Sequence, residues 1–496
     1  MFRIYGTVKD ENGQPLQRLV RALDRTTFRV KNSTYSSALT GEYRLDVPTD
    51  EPCIVACQPS DEEVGNMYVY DLVTPVDGST PNTGINQIGV PGTLGFGVGI
   101  CPEDLNDIGI SPMDGTDNIN SENYGNYTVD VDGSVMVWIP AFWYKWGTGS
   151  NGLGLNEIDI KNFDEYVDEP TANADGFAIH RAFYDGGVIK SGVFVDKYTN
   201  SKHPTLNMTS SIKLGSVITS NYLTDLDGVV TDQFWGFIPA SKLRGYDYFC
   251  TSRFIYAALA FLSYAHGQAS LTTEFCGWYD ISYNFPKGAI QNNGSNFYDG
   301  QIASLSSPIQ GYRAGSAFPT ERITHNGQLS GVTDVCGNRY EFSPGFSYES
   351  SQYRVLKTSV AMKDVTGGTT LATDLWGSSG LLQYDEATNT FGAMDGTTSY
   401  RYLDPTVQTF SEATSGLDWQ MSGLGLPLAG ALSTTNYNHY GGALESMRTN
   451  EAAPFTCGSW YDGANAGVFA LHMSYYGRSY SDAAGYYGFR LSAYVP

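Results

Sequence analysis

The stretch DVCGNRYEFSPG, residues 334–345, carries a single glutamate, Glu341, among aromatic and apolar neighbours. Close to the C-terminus the tripeptide GFR, residues 488–490, ends in an arginine, Arg490. A charge that is buried alone is costly, so we predict that Glu341 and Arg490 pair across the core. Two further groups of residues are expected to be structural. Gly337 and Gly488 permit close backbone approach. Phe342, Phe489 and Trp460 fill the core.

Two more stretches precede this one, SVMVWIPAFWYKW at 134–146 and GVFVDKYTNSKHP at 192–204. With DVCGNRYEFSPG and GFR they stand in the order of the landmarks of the formylglycine-generating-enzyme type of C-type lectin fold, which this part of the chain resembles. The positions that match that family's signature are Asp334, Gly337, Asn338, Glu341 and Phe342. The resemblance implies an α+β C-type lectin-like, ligand-binding domain over residues 131–496.

The first 76 residues alternate apolar and polar positions in RIYGTV, RLVRAL, EYRLDV and CIVACQ, with turn residues between them. This period of two predicts half-buried strands. The module resembles the transthyretin-like (carboxypeptidase regulatory-like) β-sandwich, which implies an all-β attachment module without catalytic residues.

A stretch rich in Gly, Pro and Thr follows, DGSTPNTGINQIGVPGTLGFGVG at 77–99, and predicts a linker. We therefore expect residues 77–130 to form a linker and connection between the two domains. Helical periodicity is clearest in SRFIYAALAFLSYAHGQAS, residues 252–270, which predicts a buried helix.

The chain of 496 residues has 29 Lys and Arg against 52 Asp and Glu, a formal net charge of −23. That balance disfavours nucleic acid and anionic membranes as partners, because no basic patch is available to release counterions. No apolar run reaches the roughly 18 residues of a membrane span, and the N-terminal sequence lacks a signal core, so assembly in the cytoplasm is expected.

Seven scattered cysteines predict free, buried thiols rather than a disulfide framework or a zinc site. No histidine pair has metal-ligand spacing, and no nucleophile elbow, phosphate loop or dinucleotide fingerprint occurs, so neither a cofactor nor an enzyme is expected. Two acidic stretches hint at calcium but complete no calcium loop, and turns are the favoured interpretation, for Asp130, Asp132, Asp225, Asp227 and Asp232.

The C-terminal segment, residues 458–492, reads GSWYDGANAGVFALHMSYYGRSYSDAAGYYGFRLS. Residues 450–496 hold seven of the 35 tyrosines of the chain. From its GSW start to its GFR end, the segment is similar to the variable region of proteins diversified by retroelements, among which phage receptor-binding proteins are common. The oxidase members of the fold use a cysteine pair near the C-terminus, whereas this segment is preceded by Cys457 alone.

In such systems template adenines are replaced at random, so an AAC codon becomes NNC, which encodes Tyr, Ser, Asp and His among others but neither Trp nor Met. Trp460 and Met473 are therefore expected to be fixed framework. Tyrosine also offers a large contact area with few torsions to freeze, as in antibody loops. The resemblance implies these ligand-binding residues: Tyr461, Asp462, His472, Ser474, Tyr475, Tyr476, Tyr480, Asp482, Tyr486 and Tyr487.

The expected function is that of a phage virion adhesin, a tail- or capsid-borne oligomer, with the first module attached to other virion proteins and the C-terminal segment presented to a host-surface protein or glycan. One alternative is a structural virion protein, a decoration or head fibre, that binds only neighbouring subunits. A second is an enzyme of the formylglycine-generating type.

Overall fold

The computed structural model describes residues 2–7, 19–24, 30–35, 42–47, 53–57, 68–73, 76–77, 85–105, 108–232, 236–269, 324–336, 339–349, 352–365, 383–387, 400–435, 440, 444–445, 451–452, 454–458, 465–473 and 487–495. The chain divides into two compact units, residues 1–84 and 85–496. The described elements include many more strands than helices, and the strands are arranged in several sheets. The β-rich class predicted from the sequence is confirmed.

The first unit consists of strands alone within its described residues. The strands are β1 Phe2–Thr7, β2 Leu19–Asp24, β3 Val30–Tyr35, β4 Glu42–Val47, β5 Cys53–Cys57, β6 Tyr68–Val73 and β7 Val76–Asp77. They form two antiparallel sheets, in the orders β4-β1-β7 and β3-β2-β5-β6. Val20 and Ala22 are two residues apart and both buried, with Ala22 opposite buried Val55. The alternation predicted from the sequence therefore corresponds to β1, β2, β4 and β5.

The second unit contains most of the strands and all described helices. The strands are β8 Ile110–Pro112, β9 Asn126–Val129, β10 Val135–Pro140, β11 Phe142–Trp146, β12 Ile158–Asn162, β13 Ala178–Ile179, β14 Tyr184–Asp185, β15 Val188–Ile189, β16 Gly192–Asp196, β17 Ser201–Lys202, β18 Thr209–Ser210, β19 Tyr248–Cys250, β20 Tyr340–Phe342, β21 Phe346–Glu349, β22 Gln352–Leu356, β23 Tyr384–Ala387, β24 Tyr400–Leu403, β25 Leu432–Ser433, β26 Leu444–Glu445, β27 Glu451–Ala452, β28 Phe455–Thr456, β29 Leu471–His472, β30 Tyr487–Gly488 and β31 Leu491–Ala493. The α-helices are α1 Glu169–Ala174, α2 Phe237–Lys242, α3 Arg253–Ala269 and α4 Gly416–Ser422.

Two large sheets organise this unit. An antiparallel sheet has the order β19-β31-β16-β10-β9-β8, and a mixed sheet has the order β25-β24-β26-β29-β28-β20-β30. In the first sheet Trp138 of β10 lies opposite Phe194 of β16, and their ring centroids are 4.8 Å apart. The C-terminal residues thus complete both sheets, through β30 in one and β31 in the other. Two smaller sheets of the unit have the orders β12-β11-β13 and β23-β22-β21-β27.

The helix α3 begins after Ser252, whose Oγ accepts a hydrogen bond from the Ile255 backbone N–H, as an N-terminal cap does. Every residue from 253 to 267 is buried, as expected for a helix that is apolar on all sides. Phe261 packs edge-on against Trp146 with centroids 5.0 Å apart. The predicted buried helix at 252–270 is confirmed. Within the described ranges every helix, α3 included, falls short of the length and apolar character that a bilayer span requires.

Residues 85–130 differ from the predicted linker. The boundary between the units falls after Gly84, inside the predicted connection, but the residues that follow belong to the second unit. Ile88 is buried, and its carbonyl accepts a 2.8 Å bond from the backbone N–H of Gly97. Residues 110–112 and 126–129 are strands of the six-stranded sheet. The sequence of this region predicted a linker for two reasons. It is rich in glycine, and its apolar residues do not alternate regularly as those of a strand do.

Two buried arginines hold the second unit together. Arg490 donates from Nε and Nη2 to both carboxylate oxygens of Glu341, at 3.0 and 2.9 Å, and both side chains are inaccessible to solvent. Arg244 donates to Asp132 at 2.8 Å and to Asp196 at 2.5 Å, also in the interior. The predicted pairing of Glu341 with Arg490 is confirmed.

We predict that a chain beginning at residue 85 folds alone, whereas one beginning at residue 93 is markedly less stable. The shorter chain lacks buried Ile88 and the 2.8 Å bond from the Asn86 N–H to the Ile100 carbonyl. Loss of one large buried aliphatic residue costs roughly 2–5 kcal/mol. Urea denaturation of both fragments provides the measurement. Equal midpoints for the two fragments would show that residues 85–92 are a linker after all.

Removing one partner of the Glu341–Arg490 pair is predicted to be severely destabilising. Glu341→Gln leaves the Arg490 guanidinium buried without a carboxylate, which costs about 3–5 kcal/mol. As a control, Asp225→Asn removes an exposed carboxylate 3.2 Å from Lys202 and should cost less than about 1 kcal/mol. Chemical denaturation measures both, and similar losses for the two variants would contradict the assignment.

Acid is predicted to destabilise the second unit through three buried imidazoles. Burial lowers the pKa of His180 to about 3, and that of His266 and of His325 to about 4. Because the unfolded chain binds these protons near the ordinary pKa of 6.5, stability is lost as pH falls from 6.5 towards 4, by about 1.4 kcal/mol per pH unit for each histidine. The slope of unfolding free energy against pH measures this. His325→Gln, which keeps a donor and an acceptor but does not titrate, should reduce the slope by about a third; an unchanged slope would contradict the role of His325.

Candidate functional site

The C-terminal segment starts at a sharp change of backbone direction. Cys457 and Gly458 follow β28 with φ of +70° and +72°, both in the left-handed region. For a residue with a side chain this conformation costs about 1–2 kcal/mol, so Cys457 is strained where Gly458 is not. The Cys457 carbonyl accepts a 3.0 Å bond from the Gly467 N–H, so the chain closes on itself after ten residues. Burial raises the pKa of the Cys457 thiol well above its usual range, which keeps it protonated.

The middle of the segment is anchored by the first residue of α3. Arg253 is fully buried and donates to the backbone carbonyls of Phe469 and Ala470 at 3.3 and 3.0 Å, and to that of Leu424 at 2.8 Å. Burial lowers the pKa of Arg253 to about 10, which leaves it charged at neutral pH. The next residues form β29, which pairs with β28, and Met473 follows in a buried position.

The end of the segment is anchored by Arg490. Besides its two bonds to Glu341, Arg490 donates to the backbone carbonyls of Asp196, Lys197 and Thr333, at 2.8, 3.0 and 2.8 Å. The five guanidinium N–H groups are thereby all used. Burial acts to lower the pKa of Arg490, but the Glu341 carboxylate outweighs it and the pKa is raised. This arginine is a permanent cation, which fixes β30 and β31 on either side of it.

The strands that hold the segment meet at one end of the mixed sheet. Thr456, where the chain leaves β28, lies opposite Leu471, where it enters β29. Tyr487, where the chain enters β30, lies opposite Tyr340, the first residue of β20. Since β30 is parallel to β20 and β28 is antiparallel to it, these positions share one end of the sheet. The chain after residue 458 and the chain before residue 487 therefore connect to the same end.

One face of this sheet is a closely packed aromatic cluster. Alternate residues of neighbouring strands supply it, Tyr340, Phe342, Phe455, His472 and Tyr487, and all are buried. The rings of Tyr340 and His472 are 4.7 Å apart, and those of Phe455 and Tyr487 are 4.6 Å apart. The other face carries Glu341, which accepts bonds from the hydroxyls of Thr199 and Tyr256 as well as from Arg490.

The structure describes two of the ten residues predicted to bind ligand. His472 and Tyr487 are each 3% exposed, so they pack in the aromatic cluster and not on an exposed surface. The alternation of side chains along a strand explains this. His472 and Tyr487 each lie in a two-residue strand and point to the face of the sheet that carries the aromatic cluster. The remaining eight lie outside the described residues: Tyr461, Asp462, Ser474, Tyr475, Tyr476, Tyr480, Asp482 and Tyr486. The framework positions Gly337, Asn338 and Trp460 also lie outside them.

Sequence reasoning missed residues of β24 that adjoin the segment. Tyr402 is half-buried, and its hydroxyl donates a 2.7 Å bond to the side-chain oxygen of Asn465. Tyr400, also half-buried, packs against His472 with ring centroids 6.0 Å apart. The alternation in YRYL, residues 400–403, could have predicted a strand here. It could not have predicted that this strand lies beside the C-terminal segment.

The aspartates that hinted at calcium have other uses. Asp132 is buried against Arg244, and Asp225 pairs with Lys202. Asp232 accepts bonds from the backbone and side chain of Thr224, as a turn aspartate does. Among the described residues no group of His, Cys, Asp and Glu is placed to hold a metal ion.

The cysteines of the second unit that the structure describes, Cys101, Cys250, Cys336 and Cys457, are free and buried, as predicted. Burial raises the pKa of the Cys101 and Cys250 thiols to about 12, so neither is ionised at neutral pH. Cys276 lies outside the described residues.

The fold and the site together define a β-rich protein whose C-terminal segment is anchored at its start, middle and end by buried residues. No model of a protein family matches the chain, and no curated protein matches its sequence. The role of the segment is accordingly inferred from its residues and from the way they are held.

Proposed function

We propose that this protein is a phage virion adhesin that presents the tyrosine-rich parts of its C-terminal segment to a ligand on the host surface. The observation that carries the proposal is the division within the segment. Its start is fixed by the bond from the Gly467 N–H to the Cys457 carbonyl, and its middle and end by Arg253 and Arg490, while the residues between these anchors are enriched in tyrosine. Such a division is typical of a scaffold that displays a contact surface.

The codon pattern agrees with this division at Met473 but not at His472 and Tyr487. Met473, which adenine replacement in an AAC codon cannot produce, is 5% exposed and packs in the hydrophobic core. His472 and Tyr487, which it can produce, are also buried, so codon accessibility by itself does not select contact residues. We accordingly restrict the proposed contact set to the eight residues outside the described ranges.

We propose a fold family for each of the two units as well. The first unit, with seven described strands in two sheets, is proposed to be a transthyretin-like sandwich that attaches to other virion proteins. The second unit is proposed to be a C-type lectin-like domain of the formylglycine-generating type. In support, β10 and β16, which come from two of the sequence landmarks, pair in one sheet, and β20 and β30, which include residues of the other two, pair in the other. The assembled form is proposed to be a homo-oligomer on the virion.

The proposal predicts that contact and framework residues respond oppositely to substitution. Changing Tyr475, Tyr476, Tyr480 and Tyr486 together to Ser should shift the melting temperature by only a few degrees, because exposed substitutions usually cost less than about 0.5 kcal/mol each. Adsorption to host cells should be lost, since each aromatic anchor of an interface contributes about 2 kcal/mol or more. Adsorption of virions or of purified protein is measured beside a melting curve.

The matched control is Phe489→Ala. Phe489 is fully buried, with its ring centroid 4.8 Å from that of Phe237, so its truncation should cost roughly 3–5 kcal/mol. A quadruple tyrosine variant that melts normally and adsorbs like the parent would remove the segment from host binding. A structural virion role would then be the better account.

A further inference from the structure

Lys197, which directly follows β16, has its amine in the protein interior. The residue is only 5% exposed, although a lysine side chain normally reaches solvent. Its main chain is held on both sides. The N–H donates to the Val135 carbonyl at 2.8 Å, and the carbonyl accepts from the Thr333 N–H at 2.9 Å and from Arg490 at 3.0 Å. The fold therefore fixes the point from which this side chain extends.

The amine of Lys197 lies against the side chain of Asn126, the first residue of β9. Lys197 Nζ donates to Asn126 Oδ1 at 2.5 Å and to the main-chain carbonyl of Glu122 at 3.2 Å. Asn126 is fully buried, and its Nδ2 donates to the carbonyls of Tyr124 and Ser330, both at 2.8 Å. These two bonds decide which end of the carboxamide is oxygen. The carboxamide C=O group is therefore the end that meets the amine.

The two groups are close enough to react with each other. A C=O bond is about 1.23 Å long, so the amine nitrogen lies at most about 3.7 Å from the carbonyl carbon of Asn126. Reacting atoms in near-attack geometry are about 3–3.5 Å apart. Because the fold holds both groups in place, the effective concentration of the amine at this carbon is far above that of any free amine.

Burial also changes the state of the amine and excludes water. It lowers the pKa of Lys197 to about 7, so a large share of the amine is uncharged and nucleophilic at neutral pH. The carboxylate of Glu122, an exposed residue, acts against this shift and is therefore near the amine. Asn126 is inaccessible to solvent, so hydrolysis of its carboxamide does not compete with attack by the amine.

We propose that Lys197 and Asn126 form an intramolecular isopeptide bond. The uncharged Nζ attacks the carbonyl carbon of Asn126, and the new C–N bond leaves a negative charge on Oδ1. One proton then passes from Nζ to Nδ2, with the Glu122 carboxylate as its carrier. The Cγ–Nδ2 bond breaks, ammonia leaves, and the C=O bond is restored. The product is a secondary amide, and the step consumes only the two side chains.

The bond joins two strands that are not neighbours. β9 and β16 both pair with β10, on its opposite sides, so the bond bridges across β10 in the six-stranded sheet. Its two residues are 71 positions apart in the sequence. A covalent closure of this size restricts the unfolded chain as a disulfide does. The C-terminal segment takes no part in it, so the inference stands whether or not the proposed function is correct.

Intact mass spectrometry of the purified full chain tests the proposal. We expect most of the protein to fall short of the sequence mass by one molecule of ammonia. Trypsin does not cleave after a lysine in amide linkage, so a digest should contain a branched peptide that joins Lys197 to Asn126. Lys197→Met, which lacks the amine, should have its full mass. The matched control is Lys202→Met, which removes a partly exposed lysine paired with Asp225 and should keep the deficit.

Two results would overturn the proposal. The first is a parent chain that has its full sequence mass. The second is a deficit that persists in Lys197→Met, because a succinimide at an Asn–Gly pair such as Asn151–Gly152 also releases ammonia. The branched peptide is sought in the parent itself, so this test does not depend on whether a variant folds. The quadruple tyrosine variant should keep the deficit while it loses host adsorption, so the two proposals fail in different measurements.

Discussion

The ion pair between Arg490 and Glu341 is the interaction on which the rest of the second unit depends. Two charges that leave water lose several kcal/mol of solvation each, and their mutual attraction alone does not always recover it. Here Glu341 also accepts from Thr199 and Tyr256, and the remaining guanidinium hydrogens bind three backbone carbonyls. The pair is thus fully satisfied, and it fixes β20, the chain that follows β16, and the last residues of the protein in one arrangement.

A second buried arginine extends this network toward the N-terminal side of the unit. Asp196 accepts from Arg244 through one carboxylate oxygen and from the Leu491 N–H through the other. Burial raises the pKa of Asp196, although Arg244 opposes the effect. Hydrogen bonds to charged groups consequently run without a break from Asp132 through Arg244 and Asp196 to the backbone of Leu491. A network of this kind tolerates few alternative packings, because any partly satisfied member leaves a buried charge.

Sequence reasoning succeeded where one local pattern decided the outcome. The apolar run of α3, the alternating strands of the first unit and the pairing of Glu341 with Arg490 were all predicted correctly. It failed for residues 85–130, because Ile88, Phe96 and Val98 gain their burial from partners far along the chain. One of those partners is His266, whose ring stacks on that of Phe96 with centroids 5.8 Å apart. It also could not find Arg253 as an anchor, since a carbonyl acceptor leaves no mark in a sequence.

The two arginines that anchor the C-terminal segment both bond to main-chain carbonyls, which bears on how far the side chains of the segment can vary. Arg253 binds the segment through the main-chain carbonyls of Phe469 and Ala470, and the segment's own Arg490 reaches the main-chain carbonyls of residues 196, 197 and 333. A main-chain carbonyl is present whatever the side chain, so support of this kind does not depend on which residues the segment carries between its anchors. Stability and recognition are then separable. Strong, sequence-independent anchoring of the ends is the condition under which a segment can change its side chains and keep its fold, and it is the physical feature that a diversified binding surface requires.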